Sequence, residues 1–338
     1  MHHLRVGMTL WVAALSTAFL LLVWPQTSWG QQKERVTLKW AWLYGPTVAP
    51  FFVGIEKGFF AAEGIDLDFP DGRGSVKNVQ FLSAKKVLFA IADLATAAKF
   101  ISQGAPVKAV WGYMQTSPMS VIAQEGLGVR SPKDLEGRKI GAAAGDAGKA
   151  IFPALAKLNA VDVSKIKFVN VTFAARNTSF LNGDVDAIIA FFPDNVPFLR
   201  SKGAEVSFLR YADFGVNTLS QGVNVHESVL TEKADTLRRL LRGVSRSVKY
   251  SQTHLDETIA ALQKRAPLSM KDPVVARGVL KSVLSLGHTE NSRGKPLGWM
   301  ARKDWEQTID ILTNYGGVKK ALPPERYYTN DFVPKDIM

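Results

Sequence analysis

The chain has 338 residues, no cysteine, and 42 Lys and Arg against 30 Asp and Glu, a formal charge of +12 at neutral pH. The lack of cysteine excludes disulfide staples, thiol catalysis and thiolate metal sites, so stability must come from large apolar cores. The basic excess reads either as a solvated surface or as an attraction for anionic ligands or an acidic surface, and without a concentrated basic arm or reading motif it does not point to nucleic acid.

Residues 1–30 contain one Arg (Arg5) and no acidic residue, and an apolar run spans 6–24 until Pro25 breaks it. Ser28-Trp29-Gly30 places small residues at −3 and −1 of a cut, so 1–30 is expected to be a cleaved signal peptide. A membrane anchor is the competing reading, because the run is close to the ~20 residues of a span, but no basic stop-transfer cluster follows it. A lipoprotein anchor is excluded for want of a Cys. Removing Arg5 leaves a mature charge of about +11.

The run at 36–44 is apolar and aromatic and predicts a buried strand, broken at Gly45-Pro46. Helical spacing over 48–62 stops at Gly64, and alternation over 65–69 predicts a strand ended by Pro70-Asp71-Gly72. A helix at 78–83, a strand at 87–92, a helix at 94–103 and a strand at 107–113 follow. A second lobe is expected after 115–118, with strands at 119–124, 139–143, 167–172 and 187–191. Its helical segments are expected at 131–135, 147–159 and 177–182. The chain then returns through 211–215, and amphipathic helices at 234–251, 255–265, 273–285 and 302–315 form a block that closes the first lobe. Strands alternating with helices imply βαβ units and mostly parallel sheets. No sequence repeat or low-complexity segment is visible.

Gly141-Ala142-Ala143-Ala144-Gly145-Asp146-Ala147-Gly148-Lys149 lies between a predicted strand and helix. Small residues there let a ligand approach N–H groups at a helix N-terminus, or simply make a tight turn. The Walker pattern fails at Ala143 and Ala150, which excludes nucleotide hydrolysis. Gly72-Arg73-Gly74-Ser75 is a second small-residue turn, with Lys77 where the dinucleotide fingerprint needs glycine. Trp40 and Trp42 fall on one side of the first strand; Trp40 is assigned to the core. Trp42 and Tyr44 near its end are placed either in the core or against a ligand ring. Asp93 ends a strand and either caps the next helix or accepts from a ligand. His2, His3, His226, His254 and His288 are scattered, with no catalytic or metal-binding spacing.

Phe51-Phe52-Val53-Gly54-Ile55-Glu56-Lys57-Gly58-Phe59-Phe60, Glu63-Gly64-Ile65-Asp66-Leu67, Gln103-Gly104-Ala105-Pro106-Val107-Lys108, Ser131-Pro132-Lys133-Asp134-Leu135-Glu136-Gly137 and Asn182-Gly183-Asp184-Val185-Asp186-Ala187 occur in that order. With Gly215-Val216 and the tail Arg326-Tyr327-Tyr328-Thr329-Asn330-Asp331-Phe332, the set resembles the periplasmic solute-binding proteins of ABC importers. The similar branch includes binders of thiamine-pyrimidine precursors, alkanesulfonates, taurine and nitrate. The resemblance implies an α/β fold of two lobes joined by two crossovers, each a mostly parallel sheet flanked by helices. It divides the chain as signal 1–30, first lobe 31–116, second lobe 117–218 and return to the first lobe 219–338. It also implies an exported, periplasmic monomer that closes on a small molecule and delivers it to an ABC permease and its ATPase at the inner membrane. No catalytic residue, metal or cofactor is expected. Trp42 matches a Trp of the pyrimidine binders, but Gly45-Pro46-Thr47-Val48 departs from their Asn-containing turn and following His. The pyrimidine synthases of the superfamily use a cysteine-rich motif that this chain lacks.

Cleft residues are expected to be Trp42, Tyr44 and Phe192 as ring walls, Gly145 and Asp146 as backbone donors, and Asp93, Gln115 and Thr116 as polar contacts. Phe192 is equally open to a core role, and Pro193-Asp194 is a candidate rim. A small aromatic or heteroaromatic ligand is ranked ahead of an aliphatic sulfonate, taurine or nitrate. An exported enzyme or a sensory scaffold on the same fold are the readings of other classes.

Overall fold

The computed structural model describes residues 32–269 and 272–338; the expected signal peptide and its cut site lie outside the described residues. Ten strands form among the described residues: β1 (Glu34–Lys39), β2 (Ile65–Asp68), β3 (Phe89–Asp93), β4 (Val107–Gly112), β5 (Met119–Gln124), β6 (Lys139–Ala142), β7 (Lys167–Asn170), β8 (Ala187–Phe191), β9 (Val206–Arg210) and β10 (Gln221–His226). They make two five-stranded sheets, ordered β2-β1-β3-β10-β4 and β7-β6-β8-β5-β9. In the first, β1 runs parallel to β2 and β3, and β10 runs antiparallel to β3 and β4. In the second, β6 is parallel to β7 and β8, and β5 is antiparallel to β8 and β9.

The two orders are the same plan used twice. The antiparallel strand of each sheet is supplied by the stretch of chain that has just left the other sheet. The chain therefore crosses between sheets twice, through 113–118 and 211–220. This architectural repeat left no trace in the residues, because strand order is fixed by pairing and not by side-chain identity.

Among the described residues eleven helices cover the sheets: α1 (Ala49–Glu56), α2 (Ser75–Ser83), α3 (Leu94–Ile101), α4 (Ala147–Leu158), α5 (Arg176–Leu181), α6 (Phe192–Ser201), α7 (Val229–Glu232), α8 (Ala234–Thr253), α9 (Leu255–Arg265), α10 (Pro273–Ser285) and α11 (Arg302–Asn314). Among them α8 and α9 pack on α1, and α11 touches both α3 and α4. One apolar cluster joins Trp40, Phe51, Trp111, Leu237 and Leu240. Another runs from Ala95 and Ile101 through Ile151 and Leu155 to Trp305, so it spans both sheets' helices.

Several predicted elements fall where the pattern placed them, including β5, β8, α9 and α10. The strand predicted over 36–44 instead stops at Lys39. Beyond it the backbone pairs with the turn after β2: Trp40 N donates to Pro70 O at 2.9 Å, Gly72 N to Trp42 O at 2.9 Å and Gly74 N to Ala41 O at 2.8 Å. Asn78 fixes the same place by donating to Trp40 O at 3.0 Å. The helix predicted over 48–62 stops at Glu56, with Gly58 just beyond at φ 73°. α6 was missed because Pro193 and Pro197 argue against a helix. Both β9 and β10 were missed as well.

The two lobes meet backbone to backbone at the turns before α2 and α4. Gly74 has φ 100°, and a Cβ there would lie 2.3 Å from Gly145 O. Val76 N points at the same carbonyl from 3.4 Å. Gly74→Ala should therefore strain the backbone and push the turns apart, costing about 1–3 kcal/mol. A lower melting temperature and a larger radius of gyration by small-angle scattering are expected. A variant with unaltered melting and scattering would show that the close approach is dispensable.

A candidate ligand cleft between the two sheets

In open α/β sheets the carboxyl ends of parallel strands leave the crevice in which ligands sit. Here both sheets turn those ends toward a shared cavity of about 580 Å³, within the ordinary range for small-molecule sites. The segment after β1 brings Trp42, Tyr44 and Thr47. The ends of β6 and β8 bring Asp146, Phe191 and Asp194, and the stretch after β7 brings Phe173, Arg176 and Asn177. Gln221 opens β10, Ser75 opens α2, and residues 266–269 form part of the rim.

Arg176 organises the second-sheet wall. It is 3 % exposed. Its Nη1 reaches Asp146 Oδ2 at 3.3 Å and donates to Ile189 O at 3.0 Å, and its Nη2 donates to Asn195 Oδ1 at 3.0 Å. The guanidinium carbon lies 4.7 Å from the Trp42 ring of the opposite lobe, inside the cation–π range. Phe173 packs against the same Trp42, with ring centroids 3.8 Å apart. Asp146 also caps α4: its Oδ1 accepts from Gly148 N at 2.7 Å and Lys149 N at 3.3 Å. Burial raises the Asp146 carboxyl against the pull of Arg176, and it lowers Arg176 in turn.

Thr47 and Asp194 form a bridge across the cleft. Thr47 Oγ1 lies 2.6 Å from both carboxylate oxygens of Asp194, and Tyr113 Oη donates to Thr47 O at 2.7 Å. Burial pushes Asp194 up to about 6, opposed by the Thr47 hydroxyl and by Arg176. Among the described residues lining the cavity, Asp146, Asp194 and Arg176 carry the only charges, a formal sum of −1 with both carboxylates ionised. The basic excess of the chain therefore lies elsewhere on the molecule.

Of the eight residues expected in the cleft, Trp42, Tyr44 and Asp146 line the cavity; the Tyr44 hydroxyl donates to Phe69 O at 2.6 Å. The other five stand off it. Asp93 is fully buried and caps α3, accepting from Thr96 N at 2.6 Å. Gln115 donates to Gly287 O and Trp299 O at 2.9 and 3.0 Å, tying the first crossover to the C-terminal block, and Thr116 N points to Leu286 O in the same block. Gly145 turns its carbonyl to Gly74. Phe192 stacks on Phe208 at 5.7 Å in the second lobe, one residue beyond Phe191, which does face the cavity. The α4 donors expected to meet a ligand are held by Asp146 itself. The core assignment of Trp40 matches its burial against Phe51, Phe69 and Tyr113. No local pattern singles out Thr47, Arg176 or Gln221; of the candidate rim Pro193-Asp194, Asp194 lines the cavity and Pro193 does not.

Among the described residues no His, Cys, Asp and Glu cluster has the geometry to hold a metal, and no helix is long and apolar enough to cross a membrane.

Two mirrored sheets with strand ends turned into one crevice define the periplasmic-binding-protein architecture. The chain belongs to the NMT1/THI5-like family, whose model matches residues 45–258. It is 26% identical over 305 residues to the riboflavin-binding protein RibY of Chloroflexus aurantiacus, covering 89% of this chain and 86% of that one. It is 23% identical over 330 residues to a formylaminopyrimidine-binding protein of Halalkalibacterium halodurans, covering 94% and 98%. A Legionella pneumophila relative at 21% identity, covering 89% and 93%, is named a 4-amino-5-hydroxymethyl-2-methylpyrimidine phosphate synthase. The alkanesulfonate-binding protein SsuA of Xanthomonas axonopodis pv. citri, solved with MOPS, superposes with TM-score 0.66 at 12% identity over 87% of this chain and 98% of that one. A Candida albicans protein described as having the generic periplasmic binding protein fold gives TM-score 0.66 at 18% identity over 89% and 98%.

The Asp194 carboxyl titrates higher folded, at about 6, than its unfolded value near 3.9. Between these values the folded state holds more protons, so this group's contribution to stability falls as pH rises from about 4 to about 6. Asp194→Asn removes that dependence. The stability of the variant relative to the parent should rise by about 2 kcal/mol from pH 4 to pH 7, the full shift being discounted because the carboxylate faces the cavity. Urea unfolding at both pH values measures it; a difference that stays flat with pH contradicts the assignment.

Proposed function

We propose that this protein is the solute-capturing component of an ABC-type importer, exported to the periplasm, and that its cargo is a small neutral aromatic or heteroaromatic molecule. The observation that carries this reading is the composition of the cleft wall. Trp42, Tyr44, Phe173, Phe191 and Phe198 surround a cavity whose one guanidinium already commits both Nη atoms to Asp146, Ile189 O and Asn195, leaving only a buried Nε without a partner. An aliphatic sulfonate or nitrate needs unpaired donors or cations. Here the helix N-terminus that most favours an anion carries an aspartate cap, and the local charge is negative. A flat neutral ring meets aromatic faces and carboxamide edges instead. The ring compounds in the names of the two binding relatives support the same choice.

Capture works through closure. Trp42 and Thr47 belong to one lobe, and Phe173, Arg176 and Asp194 to the other, so a molecule between them contacts both at once. Its binding energy then favours the shut state over the open one. The shut form is the one that docks on the membrane permease, where opening releases the cargo chemically unchanged.

Mass spectrometry of material released from the purified, denatured protein should yield a heteroaromatic compound. Recovery of taurine, nitrate or an alkanesulfonate would overturn the ligand class, and conversion of the added compound during incubation would overturn the receptor reading. Trp42→Ala should weaken binding of the recovered compound about tenfold or more, because it removes a stacking face and the ring under Arg176. Calorimetric titration measures this, and an affinity within twofold of the parent returns Trp42 to a purely structural role.

A further inference from the structure

Gln221 is the first residue of β10, where the chain re-enters the first sheet after its second crossover. Its backbone is fixed: Gln221 O accepts from Tyr113 N at 2.7 Å and Met114 N at 2.9 Å, and the residue stands opposite Asp93 in the antiparallel register. Its side chain lines the cavity and is 4 % exposed. The Oε1 is buried with no hydrogen-bond partner, and among the described residues none accepts from its Nε2. A buried carboxamide oxygen without a partner is costly, and native structures seldom leave one so. Which end is oxygen does not matter, because in either orientation the group offers one donor and one acceptor side by side.

Resting on the neutral-heterocycle reading above, we propose that Gln221 is a specificity-determining residue, and that it reads a donor–acceptor edge on the ligand. The ligand is then a ring compound whose rim places an N–H beside a carbonyl oxygen or a ring nitrogen: a lactam, an imide or an amidine. Two parallel hydrogen bonds join that edge to the carboxamide. The position suits the task, because β10 is antiparallel and its first residue lies at the carboxyl ends of β3 and β4, at the floor of the cleft. On the opposite lobe Asn177 also lines the cavity, and its Oδ1 is buried without a partner. A second N–H on the ligand's far rim satisfies it. The competing arrangement is internal: Asp93 Oδ2 is likewise buried without a partner, and a rotated Gln221 amide donating to it would have no ligand role.

Matched pairs separate the two. Quinazolin-4-one, phthalazin-1-one and 2-pyridone, each with a single N–H beside its carbonyl, would each be titrated calorimetrically against the full mature protein, beside a counterpart methylated at that nitrogen. The expected result is that a parent compound binds and its methylated counterpart binds at least tenfold more weakly, since the methyl leaves the buried acceptor unpaired. In Gln221→Met, close in volume, the ratio should fall below threefold while the unfolding midpoint of the ligand-free protein changes little. Equal binding of parent and methylated compounds by the natural protein overturns the role of Gln221 and leaves the heteroaromatic reading standing. So does a Gln221→Met variant that keeps the discrimination. A variant that fails to fold leaves the comparison on the natural protein to decide. If no compound of either set binds, the heteroaromatic reading falls, and the inference with it.

Discussion

A guanidinium buried to this degree has to be paired and fully hydrogen-bonded, or its desolvation would outweigh what the fold gains around it. Arg176 meets most of that requirement through Asp146, Ile189 O and Asn195, three partners drawn from the α4 cap, β8 and α6, while its Nε is buried without a partner. The constraint runs both ways. The charge fixes where those three elements sit, and they in turn hold a flat cationic face against Trp42 of the other lobe. The wall of the cleft is thus built around an ion pair already internal to the protein. Removing one partner would leave the other buried and uncompensated, which costs more than the pair itself contributes.

The sheets supply the frame for that arrangement. Because each sheet takes its antiparallel strand from chain that has just left the other, neither lobe is complete without a segment running through a crossover. The crossovers are therefore anchored at both ends in ladders. Gln115 adds a tie from the first of them to the C-terminal block. α11 adds a further link, packing on α3 of the first lobe and α4 of the second.

Much of the alternating α/β plan was legible because its helices are amphipathic and its strands are bounded by glycine and proline. The strands that failed to show were those whose burial defies the simple pattern. β10 reads Gln221-Gly222-Val223-Asn224-Val225-His226, buried on both faces yet polar at three of six positions, so it has neither the alternation of a surface strand nor the apolar run of a central one. The candidate site divides the same way. Trp42, Tyr44 and Asp146 were found because strand ends and helix starts are visible locally. Arg176 and Gln221 were not, because a charged or amide side chain in a helix or strand looks like a solvated one until the fold shows it buried. Phe191 was missed by one position: the pattern located the end of β8 but not which of two adjacent phenylalanines turned inward.

Net charge shows most clearly how a global count can mislead about a local site. A chain at +12 invites an anionic ligand, yet the cavity lining holds one arginine and no lysine, so the basic excess lies outside it, where water and salt screen exposed charges. What a bound molecule experiences is the cavity itself, where the effective dielectric is lower and each charge weighs more. There two carboxylates face one guanidinium, and the stronger of its contacts are internal. The field inside the cleft thus has the opposite sign to that of the surface. On the proposal made above, a neutral ring avoids the desolvation cost an anion would meet on entering, and the unpartnered amide oxygens of Gln221 and Asn177 belong to the groups that orient it.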